Sequence, residues 1–196
     1  MLMTSIQNAI LFTISTVFNI YTTLVIFRFL LQLVRADFYN PLAQFAVRAT
    51  NPLLIPLRKI IPGYAKIDFA SIMLALLLQL TEVYLTLVVQ GFGIAANVVS
   101  ISGFIIWGCG ELIDLTLAFL FFAVLIQVVS SWLAPQQYNP AMDALNRITA
   151  PLFRPIHRIL PSIGGIDMSP IVVIFAISIM RMVIADPIVA IGRGLI

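Results

Sequence analysis

The sequence predicts an all-α membrane protein with four transmembrane helices, arranged as two same-orientation repeats of span, interfacial amphipathic segment and span. Three observations carry that prediction. Of the 196 residues, 61% are hydrophobic and only 10% are charged, whereas soluble domains are about 45–50% apolar and about 25% charged. Four apolar stretches are each long enough for a helix across about 30 Å of hydrocarbon, which takes about 20 residues. A basic, proline-rich segment also occurs twice: YNPLAQFAVRATNPLLIPLRKIIPGYAKID (Tyr39–Asp68) returns 99 residues later as YNPAMDALNRITAPLFRPIHRILPSIGGID (Tyr138–Asp167).

Aligned without a gap, the copies agree at 12 of 30 positions, and the same register lays residues 12–34 on 111–133 and 69–90 on 168–189. Parallel repeats of this kind imply a pseudo-twofold axis along the membrane normal.

The first repeat covers 8–90, with spans over 8–34 and 69–90 and an interfacial segment over 35–68. The N-terminus shows neither the basic n-region nor the small-residue cleavage site of a signal peptide, so the first span is expected to be retained. Arg28 lies six residues before Val34, about 9 Å along the helix, within reach of snorkelling to the headgroups. Asn40-Pro41 supplies an N-cap and a first helical position, after which Leu42, Phe45, Ala46 and Ala49 share one face. Pro52 then starts a second short helix, apolar along Leu53, Leu57, Ile60 and Ile61 and polar at Arg58 and Lys59. Pro56 is expected to kink or interrupt it. Pro62 ends the segment, and Asp68 stands where a carboxylate caps the next span.

The connector over 91–110, GFGIAANVVSISGFIIWGCG, is glycine-rich and carries no Lys or Arg. It reads as an outer connector, looped or re-entrant. A fifth span would put the two basic segments on opposite sides. The second repeat covers 111–196, with spans over 111–133 and 168–191 and an interfacial segment over 134–167. Glu111 and Asp114 open its first span, where acidic groups suit a helix N-terminus. Asn139-Pro140 begins a helix with Ala141, Ala144, Leu145 and Ile148 on one face and an i, i+4 pair of Asp143 and Arg147 on the other. Pro151 starts the copy of the second short helix, apolar at Leu152, Ile156, Ile159 and Leu160 and polar at Arg154, His157 and Arg158. Pro155 interrupts it, Pro161 ends the segment, and Asp167 caps the last span. Asp186-Pro187 falls near the outer end of that span.

Eight of the 11 Lys and Arg residues lie in the two repeated segments and their flanks. Cytoplasmic loops collect such residues, so both segments are expected in the cytoplasm and both termini outside, in a bacterial inner membrane. Arg58, Lys59, Arg154, His157 and Arg158 are the candidate contacts for anionic lipid headgroups or a partner. A purely topological role, in which they hold the loops inside while the apolar faces pack on the spans, accounts for the same residues. Glu82 and Arg181 occupy equivalent positions at one depth in the second and fourth spans. They form a candidate intramembrane ion pair, with a protonated Glu82 or a water-lined polar cavity as alternatives.

The chain has one cysteine, Cys109, and one histidine, His157, so neither a disulfide framework nor a two-histidine metal centre fits. No Ser/His/Asp set and no Gly-rich phosphate loop stands out, so the expectation is a protein that is not an enzyme and has no cofactor or metal. The net charge of +3 does not argue for nucleic acid. The expected partners are the bilayer, anionic headgroups, and a membrane-protein partner or a second copy of the chain.

The duplicated FYNP…NPLLIPLRKIIP…ID and YNP…APLFRPIHRILP…GGID resemble the YggT family of bacterial inner-membrane proteins, called YlmG in Gram-positive bacteria. The resemblance covers the whole chain, with the same proline signature in both units. It implies a supporting role in osmotic-stress tolerance or in potassium and ion homeostasis. Neighbourhood to division genes and assembly of photosynthetic cytochrome b are also associated with the family. The alternative it implies is therefore a scaffold for cell division or for assembly of membrane complexes.

Overall fold

The computed structural model describes residues 2–36, 40–61, 68–91, 100–133, 139–159 and 167–196. Pro62, Lys66, Leu160 and Pro161, the start of each repeated segment at Tyr39 and Tyr138, and connector residues 92–99 lie outside them. The described residues are all-helical. Four helices are long and apolar enough to cross a membrane: Thr4–Leu33, Phe69–Val89, Ile101–Ser131 and Ser169–Gly194. They belong to α1 (Leu2–Leu33), α3 (Phe69–Val89), α4 (Ile101–Leu133) and a last rod made of α6 (Ser169–Met180), a π-helical turn (Arg181–Ala185) and α7 (Asp186–Gly194). Two amphipathic helices, α2 (Pro41–Ile60) and α5 (Pro140–Ile159), join the spans.

α1 ends in a Schellman turn: the Ala36 N–H donates to Leu31 O at 2.9 Å and the Arg35 N–H to Gln32 O at 3.2 Å. Arg35 takes the left-handed position (φ 51°) that glycine ordinarily fills. Asn40 caps α2 as expected, its side chain accepting from the Leu42 N–H at 2.8 Å. The Asn40 amide also donates to Pro140 O, tying the start of α2 to the start of α5.

The prolines do not divide the amphipathic segments. α2 runs unbroken through Pro52 and Pro56, and α5 through Pro151 and Pro155. All four lie on the exposed face, so the carbonyls that lose a partner face outward, where a polar interface can satisfy them. The burial of α2 also differs from its apolar pattern. Ala43, Ala46, Thr50 and Leu54 face the bundle, while Leu42, Phe45, Leu53 and Ile60 are exposed. Small residues let α2 approach the spans closely, and the large apolar ones point away from the protein. In α5 the expected face holds, with Ala144, Leu145 and Ile148 buried.

Two side-chain clusters sit at equivalent places. Val25, Leu54, Leu74 and Ala75 join α1, α2 and α3. Val124, Val173 and Ile177, with Phe153 packed against them, join α4, α5 and α6. A third cluster, including Phe27, Leu31, Ala46, Ala123 and Ile148, binds the two halves together.

α4 begins ten residues earlier than the expected span, so Ile101–Gly110 is helix rather than connector. Gly103 and Gly110 there serve close packing against the C-terminal end of the last rod, and Gly108 serves packing against Leu80 of α3. A Cβ on Gly110 would meet Val189 Cγ2 at 2.7 Å, and one on Gly192 would strike the Trp107 backbone. The π turn closes with the Asp186 N–H on Arg181 O. Pro187 just beyond it has no N–H to give, and the ladder widens by one residue.

Candidate functional site

Each amphipathic helix is fastened to its two spans by a pair of clamps, and the clamps fall at equivalent residues. In the first half, Arg28 is buried at 5% exposure. Its Nη1 donates to Thr50 Oγ1 at 2.7 Å, Asn51 Oδ1 at 2.8 Å and Val47 O at 3.2 Å, all on α2. The Thr50 hydroxyl in turn donates a hydrogen bond to Ala46 O at 2.7 Å. Arg28 is thus committed to α2. The acceptors of α2 replace water around the guanidinium.

At the far end of α2, Arg58 pairs with Asp68 and donates to Gln32 Oε1 at 3.2 Å. Asp68 caps α3 as expected, accepting from the Ser71 hydroxyl at 2.6 Å and the Ser71 N–H at 3.4 Å. Burial acts to raise the Asp68 pKa, but the hydrogen bonds from Arg58 and Ser71 outweigh it and hold the carboxyl below the ordinary carboxylate range.

In the second half the same positions carry different chemistry. Gln127 replaces Arg28, and its amide donates to Thr149 Oγ1 and Asn146 Oδ1, each at 2.7 Å. Thr149 in turn donates to Leu145 O at 3.0 Å. His157 replaces Arg58 and meets Asp167 at 3.2 Å, an ion pair only when the ring is protonated. Asp167 also accepts from the Ser169 N–H at 2.9 Å, and Ser169 is the main cause holding its carboxyl below the usual range. The Asp68 side chain is 3% exposed and the Asp167 side chain 53%. The first clamp is sealed and the second is wet.

The shorter side chains leave space. A cleft of about 770 Å³ opens between α4, α5 and the start of α6, with Gln127, Thr149, Phe153, Arg154, His157 and Asp167 among its lining. Of the residues expected to meet lipid or a partner, Lys59, Arg154, His157 and Arg158 are exposed, whereas Arg58 is committed to Asp68. Asp143 and Arg147 form the expected i, i+4 pair at 2.9 Å.

The intramembrane charges are partnered differently from expectation. Arg181 does not meet Glu82. It forms a two-pronged pair with Asp114, Nε to Oδ1 at 2.8 Å and Nη2 to Oδ2 at 2.9 Å. Asp114 stands on α4, which packs directly against the last rod, and so offers Arg181 the nearer carboxylate. Asp114 is thus no N-terminal group, since α4 starts well before it. Glu82 lines a cavity of about 220 Å³ with Ser15, Thr86, Trp107, Glu111 and Arg193. There Glu111 accepts from Trp107 Nε1 at 2.8 Å and from Arg193 at 3.1 Å, and Arg193 lies 4.8 Å from the Trp107 ring centroid. Among the described residues no three His, Cys, Asp or Glu side chains gather to hold a metal.

The clamps at Arg28 and Gln127 were not anticipated, although one signal pointed to them. Thr50 and Thr149 are identical in the two copies yet lie on an otherwise apolar face, where a hydroxyl needs a partner.

Comparison with other proteins agrees with this two-part layout. The CCB3/YggT family profile matches twice, over residues 7–89 and 106–188, with the same 99-residue offset as the sequence repeat. An uncharacterized protein of Pseudomonas aeruginosa is 42% identical over 188 residues, covering 96% of this chain and 94% of the relative. An uncharacterized protein encoded in the proC 3′ region of Vibrio alginolyticus is 36% identical, covering 92% and 95%. The uncharacterized protein YggT of Escherichia coli K12 is 35% identical, covering 97% and 96%. No solved structure matches this chain. With both halves matched by one profile and nearly full-length relatives carrying the name, the chain belongs to the CCB3/YggT family.

Proposed function

We propose that this protein is a non-enzymatic, multi-pass scaffold of the bacterial inner membrane. In this reading its two halves share one orientation, and α2 and α5 lie together in the cytoplasmic headgroup layer. One observation carries it: each amphipathic helix is pinned to two spans and still presents exposed cations, and α2 presents them beside exposed large apolar residues. In α2 these are Arg48 and Lys59 beside Leu42, Phe45 and Leu53. A helix with that surface sits at the boundary of headgroups and acyl chains and attracts anionic lipid or an acidic partner. The crowding of Lys and Arg into these segments orients them toward the cytoplasm. A platform of this kind suits a division or complex-assembly role.

A second reading, support of osmotic-stress tolerance or potassium and ion homeostasis, is favoured by the Glu82 cavity. It holds two carboxylates against one guanidinium between spans, and intramembrane ionisable groups mark ion paths more often than not.

One experiment separates the two. A deletion strain is complemented with wild type, with a variant neutralised at Arg48, Lys59, Arg154 and Arg158, or with Glu82→Gln. Division and growth in hyperosmotic, low-potassium medium are then scored. The scaffold reading expects the neutralised variant to fail in division and Glu82→Gln to succeed in both assays. Failure of Glu82→Gln in low potassium, with the neutralised variant intact, replaces it with the second reading.

A further inference from the structure

We propose that the open cleft of the second half is a binding site for one anionic glycerophospholipid, its phosphate at Arg154 and one acyl chain along Val128, Ile171 and Ile174. The proposal rests on the reading that this end of the bundle lies in the headgroup layer, and it deepens that reading by assigning one site in one half.

In the first half the equivalent residues border two separate cavities, a polar one of about 620 Å³ at Arg28, Gln32, Val47 and Arg58 and an apolar one of about 320 Å³ at Phe29, Ile72 and Ala75. Leu54 there is fully buried, the Arg28 guanidinium reaches Thr50, and Arg58 closes on a buried Asp68. The residue equivalent to Arg154 is Ile55, so no cation stands at that position of the first half. In the second half Gln127 is shorter than Arg28, Phe153 is only partly covered, and about 770 Å³ stands open.

The lining is two-sided. Val128, Phe153, Ile171 and Ile174 form an apolar wall, and Arg154 stands exposed at the polar rim. Among the described residues Arg154 makes no ion pair, whereas Asp167 is engaged by His157 and by the Ser169 N–H. The charge left unengaged at the rim is therefore positive. It suits a phosphate, while the Asp167 carboxylate at the same rim is already held by the Ser169 N–H and lies beside His157. Inorganic phosphate would leave the apolar wall uncovered. An anionic lipid, such as phosphatidylglycerol, satisfies both sides at once.

The test uses the full chain, purified and stripped of lipid, titrated with phosphatidylglycerol, phosphatidylethanolamine or inorganic phosphate and read by native mass spectrometry. The wild type is expected to retain one phosphatidylglycerol in preference to the others. Arg154→Gln, at an exposed position that leaves packing intact, should weaken retention roughly tenfold, the size of one charge-assisted hydrogen bond. The discriminating variant is Gln127→Arg, which copies the first half, where the polar and apolar cavities are separate. It should weaken retention although it adds a positive charge. Unchanged or stronger retention in folded Gln127→Arg, an equal loss on neutralising Lys59 and Arg158, or retention of phosphate as strong as that of lipid would each overturn the site. The first two outcomes leave the broader basic-surface reading standing. If Gln127→Arg does not fold, Ile174→Trp fills the same groove from its apolar side, and undiminished retention there overturns the site as well.

Discussion

At position 28 a guanidinium donates into the hydroxyl of Thr50, and at the equivalent position 127 a neutral amide donates into the hydroxyl of Thr149. At the other end of the amphipathic helices, an arginine on a buried aspartate is matched by a histidine on an exposed one. The polar frame is therefore the same in both halves: a threonine on the amphipathic helix, an aspartate at the entrance to the next span, and a donor facing each. What differs is charge and size. The first half sets two permanent cations around a buried aspartate; the second sets an amide and a titratable ring around an exposed one.

Deeper in the bundle the contrast reverses. Asp114 and Arg181 close an ion pair in the second half, where the equivalent residues of the first are Ser15 and Glu82, both lining a small cavity. The largest effect is expected here. Asp114→Asn or Arg181→Gln strands one charge, which costs about 3 kcal/mol on insertion scales. Each should sharply lower folded yield. The double exchange of Asp114→Arg with Arg181→Asp should recover much of it, whereas exchanging Glu82 with Arg181 should recover nothing. Recovery by the latter would restore the pairing expected from sequence.

How much of this was legible in the sequence differs by level. Four spans, the amphipathic segments and the Asn40 and Asp68 caps followed from hydropathy and local chemistry. The prolines, by contrast, do not split each segment into two short helices, and Asp167 stands one residue before the Met168 N-cap, bonding the Ser169 N–H. The pairing of Arg181 was not legible either. Equal depth follows from the repeat, but which helix is the neighbour depends on packing around the axis. The inward face of α2 was misread for a related reason. In water the largest apolar residues turn inward, but at a bilayer they have a second apolar phase to enter, so Ala43 and Ala46 take the protein side and Phe45 does not. For Arg28 the distance to the headgroups was countable, whereas the acceptors waiting on α2 were not.

The next effect in size separates the two fastenings directly. Arg28→Ala removes a charged donor with three buried or half-buried acceptors and should cost about 2–3 kcal/mol. Gln127→Ala removes a neutral one beside an open cleft and should cost about 1 kcal/mol. Thermal unfolding of the two variants in the same detergent gives the ratio, and equal losses would remove the distinction between the two fastenings.

The smallest is a pH effect on the buried aspartate. The folded-state pKa of Asp68 is depressed, so its contribution is present above the ordinary aspartate pKa of about 3.9 and is lost as pH falls through the lower folded value. Wild type should lose stability over that acid range relative to Asp68→Asn. Asp167→Asn should shift the same profile less, because solvent screens the exposed pair. Identical acid profiles for the two variants would show that burial at Asp68 carries no extra weight.

The measurement closest to the central claim compares one position across both halves. In a Cys109→Ser background, Leu54→Cys and Phe153→Cys place a thiol at equivalent sites, one fully buried and one on the wall of the cleft. A water-soluble maleimide added to the folded protein should label Phe153→Cys readily and leave Leu54→Cys unlabelled until unfolding, with Gln127→Arg slowing the former. Equal labelling of both thiols, or indifference of Phe153→Cys to Gln127→Arg, would contradict the account of a buried position in one half and an accessible one in the other.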